Sequence, residues 1–398
     1  MAQKSTKILI FSTAYLPHIG GAEFALRDIT DRIKNVSFDL ITAKLDKNLP
    51  IQEIIGSVRI FRVGFIYSAF FTKLFFPISG FLKALKIKKQ YGQYDGILSL
   101  QASQGGGSAW LYKIFNKKIP LVLNIQEGKE LEKQGFLINA LRGLIIKKSD
   151  YVVAISNYLK KYVRNVSAKP EILVIPNGVD LKKFSLNKND RKTKEIRKNL
   201  NISETDFVLI SVSRLVKKNG IKDLIKAFSE AKKEIANLKL ILAGEGDMEA
   251  ELKKDVSKFG ISEDVKFIGS IDHENVPFYL ASADVYIRPS LSEGLGTAFL
   301  EAMAVGIPVI ATPVGGITDF LKDKETGILC KPGDYQDISD KIKLIARDEK
   351  LLKEISLKAR DLVEKDYNWE RIAEKYEQLF ELLKNKKEQK ESTQTNHV

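Results

Sequence analysis

The sequence is poor in the residue types that metal and redox chemistry use. Its 398 residues include one cysteine, Cys330, and three histidines, His18, His273 and His397. A lone cysteine excludes an intramolecular disulfide and a zinc–thiolate cluster, and three histidines disfavour a histidine-rich metal site. We therefore expect neither a metal nor a cofactor. A reducing cytoplasm is the location that the cysteine content favours.

An uninterrupted apolar run long enough to cross a membrane is also missing. The most hydrophobic segment extends from Phe65 to Lys89. Lys73, Pro77 and Gly80 interrupt the roughly 20 residues that would have to span the bilayer. The first residues are short and polar and lead directly into an apolar run, so we expect no secretory signal.

The same segment nevertheless has the pattern of an amphipathic basic helix. Apolar residues fall on one side of it and lysines on the other: Leu74, Ile78, Phe81, Leu82 and Leu85, against Lys83, Lys86 and Lys89. One interpretation is a helix that docks on an anionic membrane surface, where each lysine contributes roughly 1 kcal/mol. The protein would then be peripheral on the inner face of the membrane. The other interpretation is a core helix with a solvated lysine face.

Acidic residues are fewer than basic ones. Lysine and arginine total 64 against 50 acidic residues, which gives a net charge of +14. Such a balance favours anionic partners, whether nucleic acid, phospholipid or a phosphorylated substrate. The basic residues are scattered and are not interleaved with aromatic residues as in a single-strand binding platform, so we expect no nucleic acid partner.

Short apolar runs alternate with helical patterns along the whole chain. Such alternation predicts an α/β protein with parallel sheets covered on both faces. The predicted strands are 7–12, 38–42, 58–61, 96–100, 121–125, 151–154 and 172–175 in the first half, and 207–212, 238–243, 265–268, 285–287, 309–311 and 328–330 in the second.

The two halves are separated by turn residues and a polar stretch. Pro176-Asn177-Gly178 follows a predicted strand, and charged sequence covers residues 187–198. We predict an N-terminal domain over 1–178, a C-terminal domain over 179–367, a final helix over 368–387 and a disordered tail over 388–398.

Three loops that follow predicted strands of the second half combine glycine with charged residues. They carry Arg214, Lys218 and Asn219; Gly244, Glu245 and Gly246; and Glu293, Gly294, Leu295 and Gly296, which lead into a helix from Thr297 that carries Glu301. A glycine loop running into a helix amino terminus offers N–H groups and a positive dipole end, which suit a phosphate. The alternative for each loop is a plain turn with solvated charges.

In the first half, Gly20-Gly21 also follows a strand but does not complete Gly-x-Gly-x-x-Gly, so the dinucleotide fingerprint fails.

In their order and spacing, these motifs resemble the group 1 retaining nucleotide-sugar glycosyltransferases, the family of bacterial glycogen synthases. The resemblance covers nearly the whole chain. Its carriers are Tyr15-x-Pro17-x-x-Gly20-Gly21-x-Glu23, Ile175-Pro-Asn-Gly-Val-Asp180, Ser213-Arg214-Leu-Val, Ala243-Gly-Glu-Gly246 and Pro289-Ser-x-x-Glu293-Gly-x-Gly-x-x-x-x-Glu301-Ala.

The resemblance implies the GT-B fold, with two facing Rossmann-like domains and a last helix that crosses back to the first domain. It implies a donor bound mainly by the C-terminal domain and an acceptor, either a sugar or a lipid-linked group, bound by the N-terminal one. Glu293 would contact the donor sugar, Glu301 the ribose, and Glu245 with Gly246 the nucleoside. Arg214 and Lys218, with the N–H groups from Gly294 to Thr297, would hold the diphosphate, which Gly20 and Gly21 would approach.

Two positions depart from the family pattern. The family usually has lysine where this chain has Asn219, so either Lys218 takes over that phosphate contact or the donor is held differently. It commonly has histidine where this chain has Gln126-Glu127. Gln126 cannot exchange a proton, so Glu127 is the candidate for proton transfer at that place. These departures leave a second hypothesis, a non-catalytic nucleotide- or carbohydrate-binding protein on the same fold.

Overall fold

A computed structural model describes residues 6–17, 20–64, 68–126, 135–186 and 189–395. The chain divides into two compact units. Unit 1 comprises residues 1–177 together with 369–398, and unit 2 comprises residues 178–368. Each unit contains a sheet that is parallel or nearly so and is covered by helices, so the predicted α/β class with two Rossmann-like domains is confirmed.

Unit 1 is built on an eight-stranded sheet with the order β3-β4-β2-β1-β5-β6-β7-β8. Its strands are β1 (Thr6–Ser12), β2 (Val36–Ala43), β3 (Gln52–Ile55), β4 (Val58–Val63), β5 (Gly96–Leu100), β6 (Leu121–Ile125), β7 (Tyr151–Ala154) and β8 (Glu171–Val174). Its helices are α1 (Gly21–Arg32), α2 (Ala69–Tyr91), α3 (Gln104–Phe115), α4 (Phe136–Lys148), α5 (Asn157–Val166) and, from the end of the chain, α13 (Trp369–Thr395). The short edge strand β3, which was not predicted, pairs antiparallel with β4, and the other pairs are parallel.

The alternation of side chains along β1 shows why both faces of this sheet must be covered. Ile8 and Ile10 join the core beneath α1 and α13, whereas Leu9 and Phe11 join the core beneath α2 and α3. Successive side chains of a strand point to opposite faces, so an apolar run such as β1 needs a layer of helices on each side.

Unit 2 is built on a six-stranded, all-parallel sheet with the order β11-β10-β9-β12-β13-β14. Its strands are β9 (Phe207–Val212), β10 (Leu238–Ala243), β11 (Val265–Gly269), β12 (Val285–Arg288), β13 (Val309–Ala311) and β14 (Ile328–Leu329). Its helices are α6 (Arg191–Asn199), α7 (Ile221–Lys232), α8 (Glu249–Lys258), α9 (Val276–Ala281), α10 (Thr297–Val305), α11 (Tyr335–Arg347) and α12 (Glu349–Asp366).

The charged stretch near the predicted domain boundary contains a helix, α6, that was not predicted. Asp190 caps α6, since its carboxylate accepts a hydrogen bond from Lys192 N at 2.9 Å. Thr193 and Ile196 are buried on the inner side of α6. Only two residues of the helix face inward, and charged residues lie between and around them, so the sequence pattern did not indicate a helix here.

The last helix, α13, belongs to unit 1 although it follows unit 2 in the chain. Trp369, Ile372, Tyr376 and Phe380 are buried in the same core as Ile8 of β1. These four residues recur at the spacing of one helix face, which is the pattern that predicted the helix.

The predicted disordered tail at 388–398 is wrong as far as Thr395, because α13 continues to that residue. Residues 396–398 lie outside the described part of the chain. Charge pairs with the edge of the sheet stabilise the last predicted turn of the helix and its extension. Lys387 Nζ lies 2.9 Å from Asp95 Oδ1, and Lys390 Nζ lies 3.3 Å from Asp150 Oδ1. Polar composition alone suggested disorder, but these long side chains reach carboxylates that are distant in sequence.

The segment from Phe65 to Lys89 forms most of α2, and residues 65–67 lie outside the described part. The side that we predicted to be apolar is not the buried side. Phe76, Gly80, Ala84 and Ile87 are buried, whereas Leu74, Ile78 and Leu82 are exposed. The small residue Gly80 sets this orientation, because a Cβ there would lie 2.5 Å from Ser108 Oγ of α3. Among the described residues, no helix has both the length and the apolar character to cross a membrane.

We predict that the pair between Lys387 and Asp95 stabilises unit 1. Its side chains are only 9% and 20% exposed, so Lys387→Met leaves a largely buried carboxylate without its cation. We expect a loss of about 2–3 kcal/mol in the free energy of unfolding, measured by urea denaturation followed by tryptophan fluorescence. Lys375→Met, at an exposed position of the same helix, is the control. Equal transitions for both variants would contradict the assignment.

Candidate active site

The candidate residues of unit 2 lie at the carboxyl ends of its parallel strands. Arg214 follows β9 and Glu293 follows β12. These two strands are adjacent, and the chain order runs in opposite directions on either side of them. Ligands of open α/β sheets bind at such a switch point. Tyr286 OH of β12 donates to Val212 O of β9 at 3.2 Å, and burial raises the pKa of Tyr286 to about 12, so this donor stays protonated.

Glu293 is held by an arginine whose role the sequence reading did not identify. Arg288 Nη2 donates to Glu293 Oε2 at 2.7 Å, and both side chains are largely buried. Arg288 Nε also donates to Ser290 Oγ at 3.1 Å. The guanidinium lies 4.4 Å from the ring centroid of Phe299. The carboxylate therefore has a fixed orientation and a neighbouring positive charge. In the sequence, the position of Arg288 at the end of a strand, five residues before Glu293, could have indicated that it pairs with this glutamate.

Two glycines allow the backbone around Glu293 to take its path. Gly296 has φ +95°, and Gly315 has φ +57°. A Cβ at Gly315 would lie 1.7 Å from Glu293 O. Gly316 N donates to the same carbonyl at 3.3 Å. The loop that follows β13 thus touches the main chain of the Glu293 loop, which only glycine permits.

The helix α10 begins directly after this loop. Gly296 is its N-cap residue, and in this described stretch no side chain caps the first turn. Gly294, Leu295 and Gly296 are buried, and Thr297 is partly exposed. The first N–H groups of a helix without a side-chain cap, together with the positive end of its dipole, form an anion site. Gly294 N donates to Glu293 Oε1 at 3.0 Å, so the N–H groups that remain for a ligand are those of residues 295–297. The predicted contact of this loop with a diphosphate stays a prediction.

The loop after β9 carries the two candidate cations, Arg214 and Lys218, and a buried amide, Asn219. Arg214 is exposed and Lys218 is half-buried. Asn219 is buried, and its Nδ2 donates to Arg214 O at 2.7 Å. Leu291 N of the Glu293 loop donates to Lys218 O at 2.7 Å. Asn219 therefore fixes the loop that presents both cations, and a direct contact between Asn219 and a ligand stays a prediction.

The loop after β10 packs its glycines against the loop after β9. A Cβ at Gly244 would lie 2.0 Å from Ser213 O, and one at Gly246 would lie 2.2 Å from Leu215 O. Glu245 between them is exposed, and its Oε1 accepts a hydrogen bond from Ser270 N at 3.3 Å. The glycines thus bring an exposed carboxylate to the same edge of the sheet as Arg214.

Glu301 is engaged by a histidine that the sequence reading did not assign to the site. His273 Nε2 lies 2.9 Å from Glu301 Oε1, and Lys183 Nζ lies 2.9 Å from His273 Nδ1. Since Lys183 donates to Nδ1, the imidazole proton sits on Nε2 and is donated to Glu301. Only the position of His273 shortly after β11 could have indicated this role.

The candidate residues of unit 1 lie at the carboxyl ends of β1 and β6. Gly20 caps α1, and the Glu23 carboxylate accepts a hydrogen bond from its N–H. Burial nevertheless raises the pKa of Glu23. A Cβ at Gly21 would meet open space. Gln126 Oε1 accepts a hydrogen bond from Asn177 Nδ2 at 3.1 Å, whereas Gln126 Nε2 is buried without a partner among the described residues. Glu127 lies outside the described residues.

The structure thus brings Arg214, Lys218, Glu245, Glu293 and Glu301 to one edge of unit 2. It places Gly20, Gly21 and Gln126 in unit 1. Within the described ranges, no group of three or more His, Cys, Asp or Glu side chains is arranged to hold a metal ion. What the edge of unit 2 offers is N–H groups and cations for a phosphate, and fixed carboxylates for hydroxyl groups.

Comparisons with known proteins agree with this geometry. Two Rossmann-like units are the architecture of the GT-B class of enzymes, which this chain shares. Residues 19–183 match the Glycosyltransferase Family 4 model, and residues 192–362 match the model for glycosyl transferases group 1. The chain belongs to the group 1 glycosyltransferases and is a glycosyltransferase.

Individual relatives match over most of their length. The alpha-monoglucosyldiacylglycerol synthase of Streptococcus pneumoniae is 28% identical over 81% of this chain and 75% of its own. Sucrose-phosphate synthase from Thermosynechococcus elongatus superposes with a TM-score of 0.81 at 25% identity, over 95% of this chain and 99% of that one. Anabaena HepE in complex with UDP-glucose superposes with a TM-score of 0.78 at 20% identity, over 94% and 99%.

We predict that the close approach of the two loops in unit 2 is required for activity. Gly220 has φ +70°, and a Cβ there would lie 1.9 Å from Pro289 O. Gly333 has φ +73°, but a Cβ there would meet open space. Both alanine variants should lose the stability that a left-handed residue costs, about 1 kcal/mol or somewhat more. Only Gly220→Ala should also displace the cation loop.

Thermal melting and transferase assays compare the two variants. Activity should fall at least about tenfold further in Gly220→Ala than in Gly333→Ala, in line with the loss caused by small misplacements of catalytic groups. Equal activities would contradict the required approach.

Proposed function

We propose that this enzyme transfers a sugar from a nucleoside diphosphate sugar to an acceptor hydroxyl group and retains the configuration at the anomeric carbon. The observation that carries the proposal is the switch point of unit 2. There a carboxylate fixed by Arg288 lies in the loop that leads into the uncapped amino terminus of α10. The loop carrying Arg214 and Lys218 is hydrogen-bonded to that same loop.

The proposed chemistry uses the charges at this edge of the sheet. The bond between the anomeric carbon and the diphosphate oxygen breaks, and its electron pair leaves with the diphosphate. The acceptor oxygen bonds to the same face of the carbon, and its proton passes to the departing phosphate. Negative charge grows on the diphosphate, where Arg214, Lys218 and the N–H groups of residues 295–297 stabilise it without a metal ion. Fixed donors of this kind need no reorganisation during the reaction.

The two glutamates have separate roles in this proposal. Glu293 binds hydroxyl groups of the donor sugar beside the reacting carbon. Glu301 binds the ribose, and the hydrogen bond from His273 sets the direction of its carboxylate. Glu245, which is exposed in the loop after β10, lies on the nucleoside side. Anabaena HepE, which has a similar fold, was crystallised with UDP-glucose. That complex supports a nucleotide-sugar donor, although it does not specify the base for this chain.

The acceptor is proposed to bind to unit 1 and to belong to a glycolipid or polysaccharide pathway. The unpartnered Gln126 Nε2 at the end of β6 is a donor suited to a sugar hydroxyl. Glu127, next in the chain, stays a candidate for proton transfer. The relative from Streptococcus pneumoniae is named as a synthase of a glucosylated diacylglycerol, which supports an acceptor carried on a lipid.

A non-catalytic binding protein on the same fold is the alternative. It was motivated by Asn219 and Gln126, which replace residues usual in the family. The buried contact between Asn219 Nδ2 and Arg214 O shows a structural role for Asn219 that is compatible with catalysis. Donor hydrolysis separates the two hypotheses, because a transferase releases sugar to water even without its acceptor.

We predict that Glu293→Gln retains the fold and lowers donor turnover at least about 100-fold, as removal of one fixed polar group from a reacting centre does. The measurement is release of sugar from UDP-, GDP- and ADP-sugars, with the anomeric configuration of the product read by NMR. Glu325→Gln, at a half-exposed side chain of the same unit, should behave as the wild type. Turnover by Glu293→Gln equal to that of the wild type would contradict the role of Glu293 at the donor sugar. A product with the inverted anomeric configuration would contradict the retaining mechanism.

We also infer that unit 1 docks on an anionic membrane surface through a surface formed by α2 and α4, both of which pack on α3. Its large apolar side chains are more than 40% exposed: Phe70, Phe71, Leu74, Phe75, Ile78 and Leu82 on α2, and Phe136, Ile138, Leu141 and Leu144 on α4. Exposed apolar patches of this kind mark interaction surfaces. The exposed Lys73, Lys86, Lys89 and Lys147 on the same helices favour a negatively charged partner.

We predict that the wild type floats with vesicles containing phosphatidylglycerol and that Phe71→Ser/Leu141→Ser does not. Removing these two exposed side chains removes anchoring area from both helices without opening the core. Flotation at low and high salt measures binding, and Leu357→Ser, at an exposed apolar position of α12, is the control. Equal flotation of all three proteins would rule out this surface. Loss of flotation with unchanged hydrolysis of the donor would separate docking from catalysis.

A further inference from the structure

A cavity lined by charged residues lies in unit 1, at the edge of its sheet opposite the one that carries Gln126. Its volume is about 350 Å³, and six lysines line it: Lys113, Lys117, Lys148, Lys169, Lys386 and Lys390. They come from the ends of α3 and α4, from the chain before β8 and from α13. These elements converge at the amino ends of β6, β7 and β8.

This cavity is distinct from the region of unit 1 that is proposed to bind the acceptor. Asp150, which lines the cavity, precedes β7 and accepts a hydrogen bond from Leu121 N at the start of β6. Gln126 follows the other end of β6. A strand of five residues is about 16 Å long. The cavity is therefore a separate place on the same sheet.

Carboxylates in the cavity do not balance the lysines. Asp150 is the only carboxylate among the described residues that line it. Lys113 Nζ lies 2.7 Å from Asp150 Oδ2, and Lys390 Nζ lies 3.3 Å from Oδ1. Lys386 Nζ is 3.2 Å from Tyr151 OH and lies over its ring. Six lysines against one carboxylate leave a surplus of five positive charges.

Two other sources of negative potential do not remove this surplus. The carboxyl ends of α3 and α4 contribute about half a charge each, so roughly four positive charges remain. The directions of the pKa shifts of Lys113 and Asp150 agree with this excess of positive charge. Burial lowers the pKa of Lys113, Asp150 offsets part of that effect, and Lys390 and Lys148 lower the pKa further. Burial alone would raise the pKa of Asp150, but hydrogen bonds from Lys113 and Leu121 lower it.

We propose that this lysine cavity binds a small ligand with two or more phosphate groups. Its volume lies in the range of small-molecule sites, roughly 300–1,000 Å³. Ammonium groups carried by four different parts of the chain surround it, so several of them can contact one compact polyanion at the same time. The phosphates belong either to a soluble polyphosphate or to the headgroup of a phospholipid. A bound polyanion would also tie α13 to α3 and α4 and thereby stabilise unit 1.

The test measures the chemical reactivity of individual lysines in the full-length protein. Acetic anhydride modifies accessible amines, and mass spectrometry reports each site with and without tripolyphosphate. We expect Lys148 and Lys169 to be protected about fivefold or more, because phosphate contacts bury the amines and hold them protonated. Lys34 and Lys161 are exposed lysines of the same unit outside the cavity, and their reactivity should not change. Tripolyphosphate that binds at the donor site would not protect these lysines, so the measurement reports on the cavity alone.

A pair of variants completes the test. Lys148→Ala/Lys169→Ala should weaken the thermal stabilisation by tripolyphosphate, raising its half-saturating concentration about tenfold or more. The control Lys34→Ala/Lys161→Ala removes the same charge and should not. Vesicles containing cardiolipin replace tripolyphosphate in a parallel arm. Protection of Lys148 and Lys169 by either probe alone identifies the source of the phosphates. Equal protection of all four lysines, or protection by neither probe, overturns the proposal.

Discussion

The candidate active site depends on main chains that approach one another more closely than any side chain would allow. In unit 2, the loops after β9, β10, β12 and β13 contact each other through Gly220, Gly244, Gly246 and Gly315. At each of these positions, a Cβ would lie within about 2.2 Å of a neighbouring carbonyl oxygen. The sheet alone would bring the strand ends to one edge, but it is the glycine contacts that bring the cations of one loop beside the carboxylate of the next.

Electrostatics complete the site in the same region. Arg288 keeps Glu293 in one orientation, and His273 does the same for Glu301. Each functional carboxylate thus has a cationic or N–H partner before a ligand arrives. Preorganisation of this kind reduces the cost of reorientation during binding and reaction. It also explains why both glutamates are accompanied by residues that have no place in the shorter sequence motifs.

The sequence was sufficient for the strands, because buried parallel strands are short apolar runs with clear ends. Phe207–Val212 and Leu238–Ala243 coincide with the predicted strands at both bounds. It also singled out candidate residues that lie close together in the chain, such as Glu293 and Glu301, whose roles toward a ligand stay predictions. It was not sufficient for partners that are distant in the chain. The pairing of His273 with Glu301, of Asn219 with the carbonyl of Arg214, and of Lys387 with Asp95 depends on the fold. The orientation of α2 was missed because this helix carries apolar residues on all its sides. The side that is buried is the one where Gly80 approaches Ser108 of α3, a contact that the sequence does not reveal.

The position of α13 has a consequence for synthesis of the chain. Unit 1 is discontinuous, since its first 177 residues are completed only by residues from 369 onward. Until those residues leave the ribosome, the sheet surface around Ile8 and Ile10 lacks one of the two helices that cover it. Unit 2 is continuous in sequence and has no such requirement. The order in which domains fold during translation therefore need not follow their order in the chain. The N-terminal unit is synthesised first, yet it is the last to acquire its complete core.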